Sequence, residues 1–148
     1  MRTFQPVVRL AKLMSEPGGV TMAQALERAD KALEATRGDC LAEIDHKIEQ
    51  VVALAAAGLD AKNLAAIRQR AGEIFGEAGA YGLTELSAAA QSLTRLLTAG
   101  KGSPAAIAVH VDAVRALRRP ELAGDVQART EVLHQLRKVV DRFQEPAL

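Results

Sequence analysis

The chain has 148 residues, 49% of them apolar and 25% charged, with a formal net charge of +1. It is long enough to bury a core, too polar to span a membrane and too apolar to stay disordered. The small net charge and an aromatic content of 3%, with no tryptophan, argue against electrostatic steering to nucleic acid and against base-stacking platforms.

Ala and Leu together number 47, against 17 for Ile and Val. Such an excess of good helix formers over β-branched residues predicts an all-α protein. The expectation is a single domain over 1–148, cytoplasmic and not an enzyme, with no cofactor, no bound nucleic acid and no membrane insertion. No apolar run reaches the ~18 residues of a membrane-spanning helix. Met1 to Met14 carries three bases but no apolar stretch of the secretory type.

Residues 1–19 read as an N-terminal arm, in which Val8, Ala11 and Met14 have helical spacing, closed by Pro17-Gly18-Gly19. Thr21 and Gln24 fit a capping box, in which each side chain satisfies the other's free backbone N–H. The helix they open has Leu26, Ala29 and Leu33 as its apolar stripe and Gly38 as its stop. Asp39 is the expected cap of a second helix with Leu41, Ile44, Ile48, Val51 and Ala55, ended by Gly58. Asp60 opens a third, with Leu64, Ile67, Ala71, Ile74 and Ala78. After a turn at Gly79 to Gly82, a fourth over roughly 84–99 presents Leu86, Ala89 or Ala90, Leu93 and Leu97. Ser103-Pro104 starts the fifth, since Ser caps well and Pro tolerates the first helical position. Its stripe is Ile107, Val111, Val114 and Leu117, and Pro120 breaks it. Asp125 caps the last helix, within 125–144, which carries Val126, Val132 or Leu133, Leu136, Val140 and Phe143. Loops this short favour antiparallel neighbours.

The third helix holds Gly72, Gly76 and Gly79. An interior glycine costs about 1 kcal/mol relative to alanine, so the sequence gives up roughly 2–3 kcal/mol here. At about 100° per residue Gly76 and Gly79 fall within roughly 40° of Gly72, opposite Ile67 and Ile74. Ala65, Arg68 and Phe75 share or flank that stripe. A strip of exposed backbone is expected there, approached by another segment of the chain or by a partner protein.

The run from Arg70 through Gly72, Gly76, Gly79 and Gly82 to Leu86 resembles the signature of histidine-containing phosphotransfer (HPt) domains. Ala71, Gly76, Gly79, Gly82, Leu83 and Leu86 match that pattern, and Ser87 to Leu93 is similar to the start of the family's next helix. The likeness is close over about 25 residues, and the helix order is compatible over 39–118. It implies an HPt-like antiparallel four-helix bundle with extra N-terminal and C-terminal helices. It also implies docking of a response-regulator receiver domain or a histidine kinase through Ala65, Arg68, Gly72, Phe75, Gly76 and Gly79. Two positions depart from the family. The phosphoacceptor histidine falls at Gly72, and the lysine that favours the phosphorylated state falls at Phe75. A glycine has no nucleophile, so the resemblance implies a pseudo-phosphotransferase, a binding module without the chemistry. The layout through Arg9-Leu10-Ala11, Pro17-Gly18-Gly19, Ala25 to Ala32 and Cys40 to Asp45 also looks like the small CheE-type helical proteins of alphaproteobacterial chemotaxis clusters.

His46 is the best alternative phosphoacceptor. It lies about 160° from both Ile44 and Ile48 and therefore faces solvent. Glu43 and Glu49 flank it and favour the imidazolium, which is a poor nucleophile. His110 and His134 read as helix-boundary residues with a polar edge. The three histidines are too scattered for a zinc motif. Cys40, the only cysteine, is expected at a helix N-terminus as a small buried hydrophobe. Asp45 and Glu49 are expected to be solvated carboxylates. Arg118 and Arg142 are expected to complement helix ends, within a basic edge near the C-terminus.

Overall fold

A computed structural model describes the backbone of residues 21–144 and the side chains of residues 21–142. The N-terminal arm stripe of Val8, Ala11 and Met14 and the side chain of Phe143 lie outside the described residues. Among those described, all regular structure is helical. The helices are α1 (Met22–Ala57), α2 (Ala61–Ala80), α3 (Thr84–Thr98), α4 (Pro104–Ala116), α5 (Pro120–Ala123) and α6 (Val126–Gln144). None is long and apolar enough to cross a membrane. The chain divides into two compact units, residues 1–39 and 40–148.

In the first unit the capping box forms as the sequence predicts. Gln24 N donates to Thr21 Oγ1, and Thr21 N donates to Gln24 Oε1, both at 3.2 Å. Two expectations fail beyond it. The helix does not stop at Gly38, and Asp39 caps nothing, because α1 runs unbroken for 36 residues. Gly38 takes no positive φ, unlike Gly58, Gly82 and Gly100. A lone glycine costs a helix only about 1 kcal/mol, too little to end one flanked by good helix formers. Leu26 and Leu33 are also exposed, at 57% and 67%.

The second unit is a helical bundle. Residues 40–57 of α1 contribute Ile44, Ile48 and Val51 to its core. Gly58, at φ +131°, ends α1 where an L side chain would be strained. Asp60 then caps α2, accepting from Asn63 N at 2.7 Å. α2 packs on α3, α3 on α4, and α6 lies against both α3 and α4. Ile67, Ala71, Ile74 and Ala78 of α2 meet Leu86, Ala89, Ala90 and Leu93 of α3. Both alanines are buried, which permits close approach, and Leu96 rather than Leu97 completes the α3 stripe. Ser103 caps α4 by accepting from Ala106 N at 3.2 Å. Pro120 ends that run and also opens the one-turn α5. Asp125 caps α6 through Ala128 N at 2.9 Å. α6 adds buried Leu136, with Val132 and Leu133 half-buried, while Val126 is 62% exposed.

Candidate functional site

Asp60 fixes where α2 begins, and burial of Ile67 and Ile74 fixes its rotation. The six residues singled out on its other side therefore do share one face. Ala65, Arg68, Phe75, Gly76 and Gly79 are exposed and Gly72 is half-buried. Phe75 is 39% exposed, a large apolar ring left partly in solvent. A Cβ built at Gly72 or Gly76 would meet no described atom within 4 Å. Among the described residues the backbone of this strip is open.

Gly79 differs. A Cβ there would stand 3.3 Å from Ser87 Oγ. Ser87 is buried in α3 and donates to the Phe75 carbonyl at 2.8 Å. That bond draws α3 against the inner side of α2 directly behind the exposed ring. Gly82, at φ +75°, then reverses the chain into α3.

Charge is sorted along the face. Glu73 pairs with Arg70 at 3.0 Å and with Lys47 at 3.5 Å, and Lys47 also bonds Glu77. The Arg70 hydrogen bond, opposed by burial and aided by Lys47, lowers the Glu73 pKa below its ordinary 4.5. The Glu77 hydrogen bond, opposed by burial, raises that of Lys47 above its ordinary value. Both carboxylates beside the face are thus held by cations. Arg68 forms no ion pair among the described residues, and it stands on the same face as Phe75, two helical turns away. Ala65 and Arg68 border a shallow depression of about 200 Å³ that runs to Leu97, Gly102 and Ile107. Gly102 fits closely there, since a Cβ would lie 3.2 Å from both Leu96 and Ile107 side-chain carbons, which would have to shift slightly.

No side chain of this face is a phosphoryl acceptor, since Gly72 and Phe75 occupy the positions the HPt pattern gives to histidine and lysine. His46 is exposed on α1, with Nε2 3.2 Å from the Gln50 amide nitrogen. Among the described residues no hydrogen bond or ion pair links it to the glycine face. His134 is exposed on α6.

His110 is not a boundary residue. It is 0% exposed and bonded at both ring nitrogens. Nδ1 lies 2.8 Å from the Ala106 carbonyl, which can only accept, so Nδ1 carries the proton. Nε2 then accepts from the Ser92 hydroxyl at 2.9 Å. Burial pushes the ring's pKa down, against the Ala106 bond that pushes it up.

Cys40 is also displaced from its expected setting. It lies inside α1, half-buried, and accepts from the Tyr81 hydroxyl at 2.8 Å. Asp45 is not a free carboxylate. Arg118 clasps it with two bonds, 2.7 and 3.0 Å, so Arg118 ties α1 to the end of α4 instead of merely complementing a helix end. Residues 45 and 118 stand 73 apart, and neither the 3.6-residue period nor a local motif could have paired them. Ser87 and Ser92 were likewise hidden, since a hydroxyl inside an alanine-rich stripe does not announce its acceptor.

Among the described residues no group of three His, Cys, Asp or Glu side chains could hold a metal. No protein-family model matches the chain, and no curated protein or solved structure matches it significantly.

Proposed function

We propose that this chain is a non-catalytic protein-binding module, docking a receiver domain or a histidine kinase through the exposed face of α2. The observation that supports it is the conjunction at that face of open backbone at Gly72 and Gly76 with the half-exposed Phe75 ring. Aromatic and arginine side chains are enriched among interface anchors, and here Phe75 and Arg68 lie two turns apart on one face, along a strip where a partner's backbone could come close. The HPt-like run supplies the class of partner, and the missing histidine removes phosphotransfer at that position. A cytoplasmic place in two-component or chemotaxis signalling belongs to the same reading.

Phe75→Asp tests it. Binding to a panel of receiver and kinase domains is expected to disappear while the far-ultraviolet circular dichroism stays unchanged. Equal affinity for mutant and wild type would remove the proposal. The alternative, phosphotransfer through His46, is supported by the exposure of that ring. It requires an acid-labile, base-stable label that His46→Ala abolishes, and a chain that accepts no label from any donor would exclude it.

A further inference from the structure

A second concavity, remote in composition from the glycine face, lies between α3 and α6. It has a volume of about 300 Å³, the lower end of the range of small-molecule sites. Its apolar wall comes from both helices, with Leu96 and Leu136 buried and Leu133 and Val140 half-buried. Three cations reach it from three separate segments: Arg95 from the last turn of α3, Lys101 from the loop that follows, and Arg137 from α6. Among the described residues Asp141 is the only carboxylate on its lining.

What sets these cations apart is that three of them line one apolar groove; others of the bundle are either paired or, like Arg68 and Arg115, unpaired among the described residues without such company. Arg118 is matched by Asp45, Arg129 by Glu85, Arg70 by Glu73, and Lys47 by Glu73 and Glu77. Arg95, Lys101 and Arg137 have no ion pair among the described residues. Even Arg137 and Asp141, one helical turn apart, do not close on each other. Like charges gathered over an apolar wall repel one another, and an anion would relieve that repulsion. The polar side of the groove is ordered beforehand, because the Ser92 hydroxyl on its lining is committed to His110. Preordered walls reduce what a ligand must freeze on entry.

We infer that the α3–α6 groove binds a small amphipathic anion, an alkyl carboxylate whose chain lies on Leu96, Leu133, Leu136 and Val140 and whose head meets Arg95, Lys101 and Arg137. The size of the groove and the excess of positive charge select this occupant. An uncharged chain leaves the cations unmatched, and a bare anion leaves the apolar wall wet.

The test uses the full chain and decanoate as probe, read by calorimetry and by amide chemical shifts. Decanoate is expected to bind and to shift amides of α3, the 99–103 loop and α6. Decanol, acetate and decyltrimethylammonium are expected to bind at least about tenfold more weakly, since each lacks one of the two matched features. The Arg95→Glu/Arg137→Glu double variant is expected to weaken decanoate at least about tenfold, and the neutral Arg95→Gln/Arg137→Gln pair in the same direction by less. Lys138→Gln/Arg142→Gln, on α6 and off the groove's lining, in a neighbouring depression that shares Asp141 with it, is expected to leave binding unchanged. The inference is overturned if decanoate does not bind at millimolar concentration. It is overturned equally if the cationic or neutral amphiphile binds as well, or if neither arginine pair weakens decanoate while both variants remain folded.

Discussion

The Ser92 hydroxyl donates to Nε2 of His110 at 2.9 Å, and Nδ1 of the same ring is spent on the Ala106 carbonyl, so a fully buried imidazole is fixed in one neutral tautomer. Protonation would put a second hydrogen on Nε2, facing a hydroxyl that now donates. The folded chain therefore resists a proton that the unfolded chain takes up near the ordinary value of 6.5.

The sign of the pH dependence follows. The folded-state pKa of His110 is lowered, so the unfolded state binds more protons below pH 6.5. Stability is full above that pH and falls as pH drops through it, until the buried ring itself titrates. Denaturant midpoints at successive pH values should show this loss. The Cε1 resonance of His110 should stay that of a neutral ring where an ordinary histidine has titrated. A second decline belongs to Glu73, whose lowered pKa makes its contribution present above 4.5 and lost in more acid solution.

Two glycines should be replaceable at a gain. Gly72→Ala and Gly76→Ala place a methyl group in open space on a helix, and each is expected to stabilise the fold by roughly 0.5–1 kcal/mol. Gly79→Ala should gain less, because the new carbon crowds Ser87 Oγ. Thermal unfolding ranks the three. Should Gly72→Ala and Gly76→Ala raise stability while weakening a partner, the glycines are retained for access and not for packing.

The clasp between Asp45 and Arg118 is bidentate but partly exposed, with side-chain exposures of 49% and 24%. A double-mutant cycle over Asp45→Asn and Arg118→Gln should return a coupling of about 1 kcal/mol, reduced by added salt. A coupling near zero would mean that solvent screens the pair fully.

Leu93 is fully buried between α2 and its neighbours. Leu93→Ala should cost roughly 2–5 kcal/mol in equilibrium unfolding, the range for a truncated core leucine.

Much of the second unit was legible in the sequence. Asp60, Ser103 and Asp125 all cap where their spacing indicates, because an N-cap bond reaches only three residues ahead. The inward positions of α2 and the outward six follow from one angular period. What escaped was set by contacts distant in sequence or by competition between weak local terms. Gly38 looks like Gly58 in sequence, yet only Gly58 takes the left-handed turn. His110 sits among apolar neighbours, as many surface histidines do, and the partner that completes its buried hydrogen bonding beside Ala106 is Ser92 on the facing helix. The α3–α6 groove unites Arg95, Lys101 and Arg137, which no local pattern connects.

The bond from Ser87 to the Phe75 carbonyl has a consequence for heat and entropy. A recognition surface on a loop must be frozen before it can hold anything, and that ordering subtracts from affinity. Here the main chain beneath the ring is anchored from within the bundle, so the proposed docking would have side chains, Phe75 and Arg68 foremost, and not backbone left to immobilise. A calorimetric titration should then show little conformational entropy lost by this chain, and its amide relaxation along α2 should look alike before and after the partner arrives.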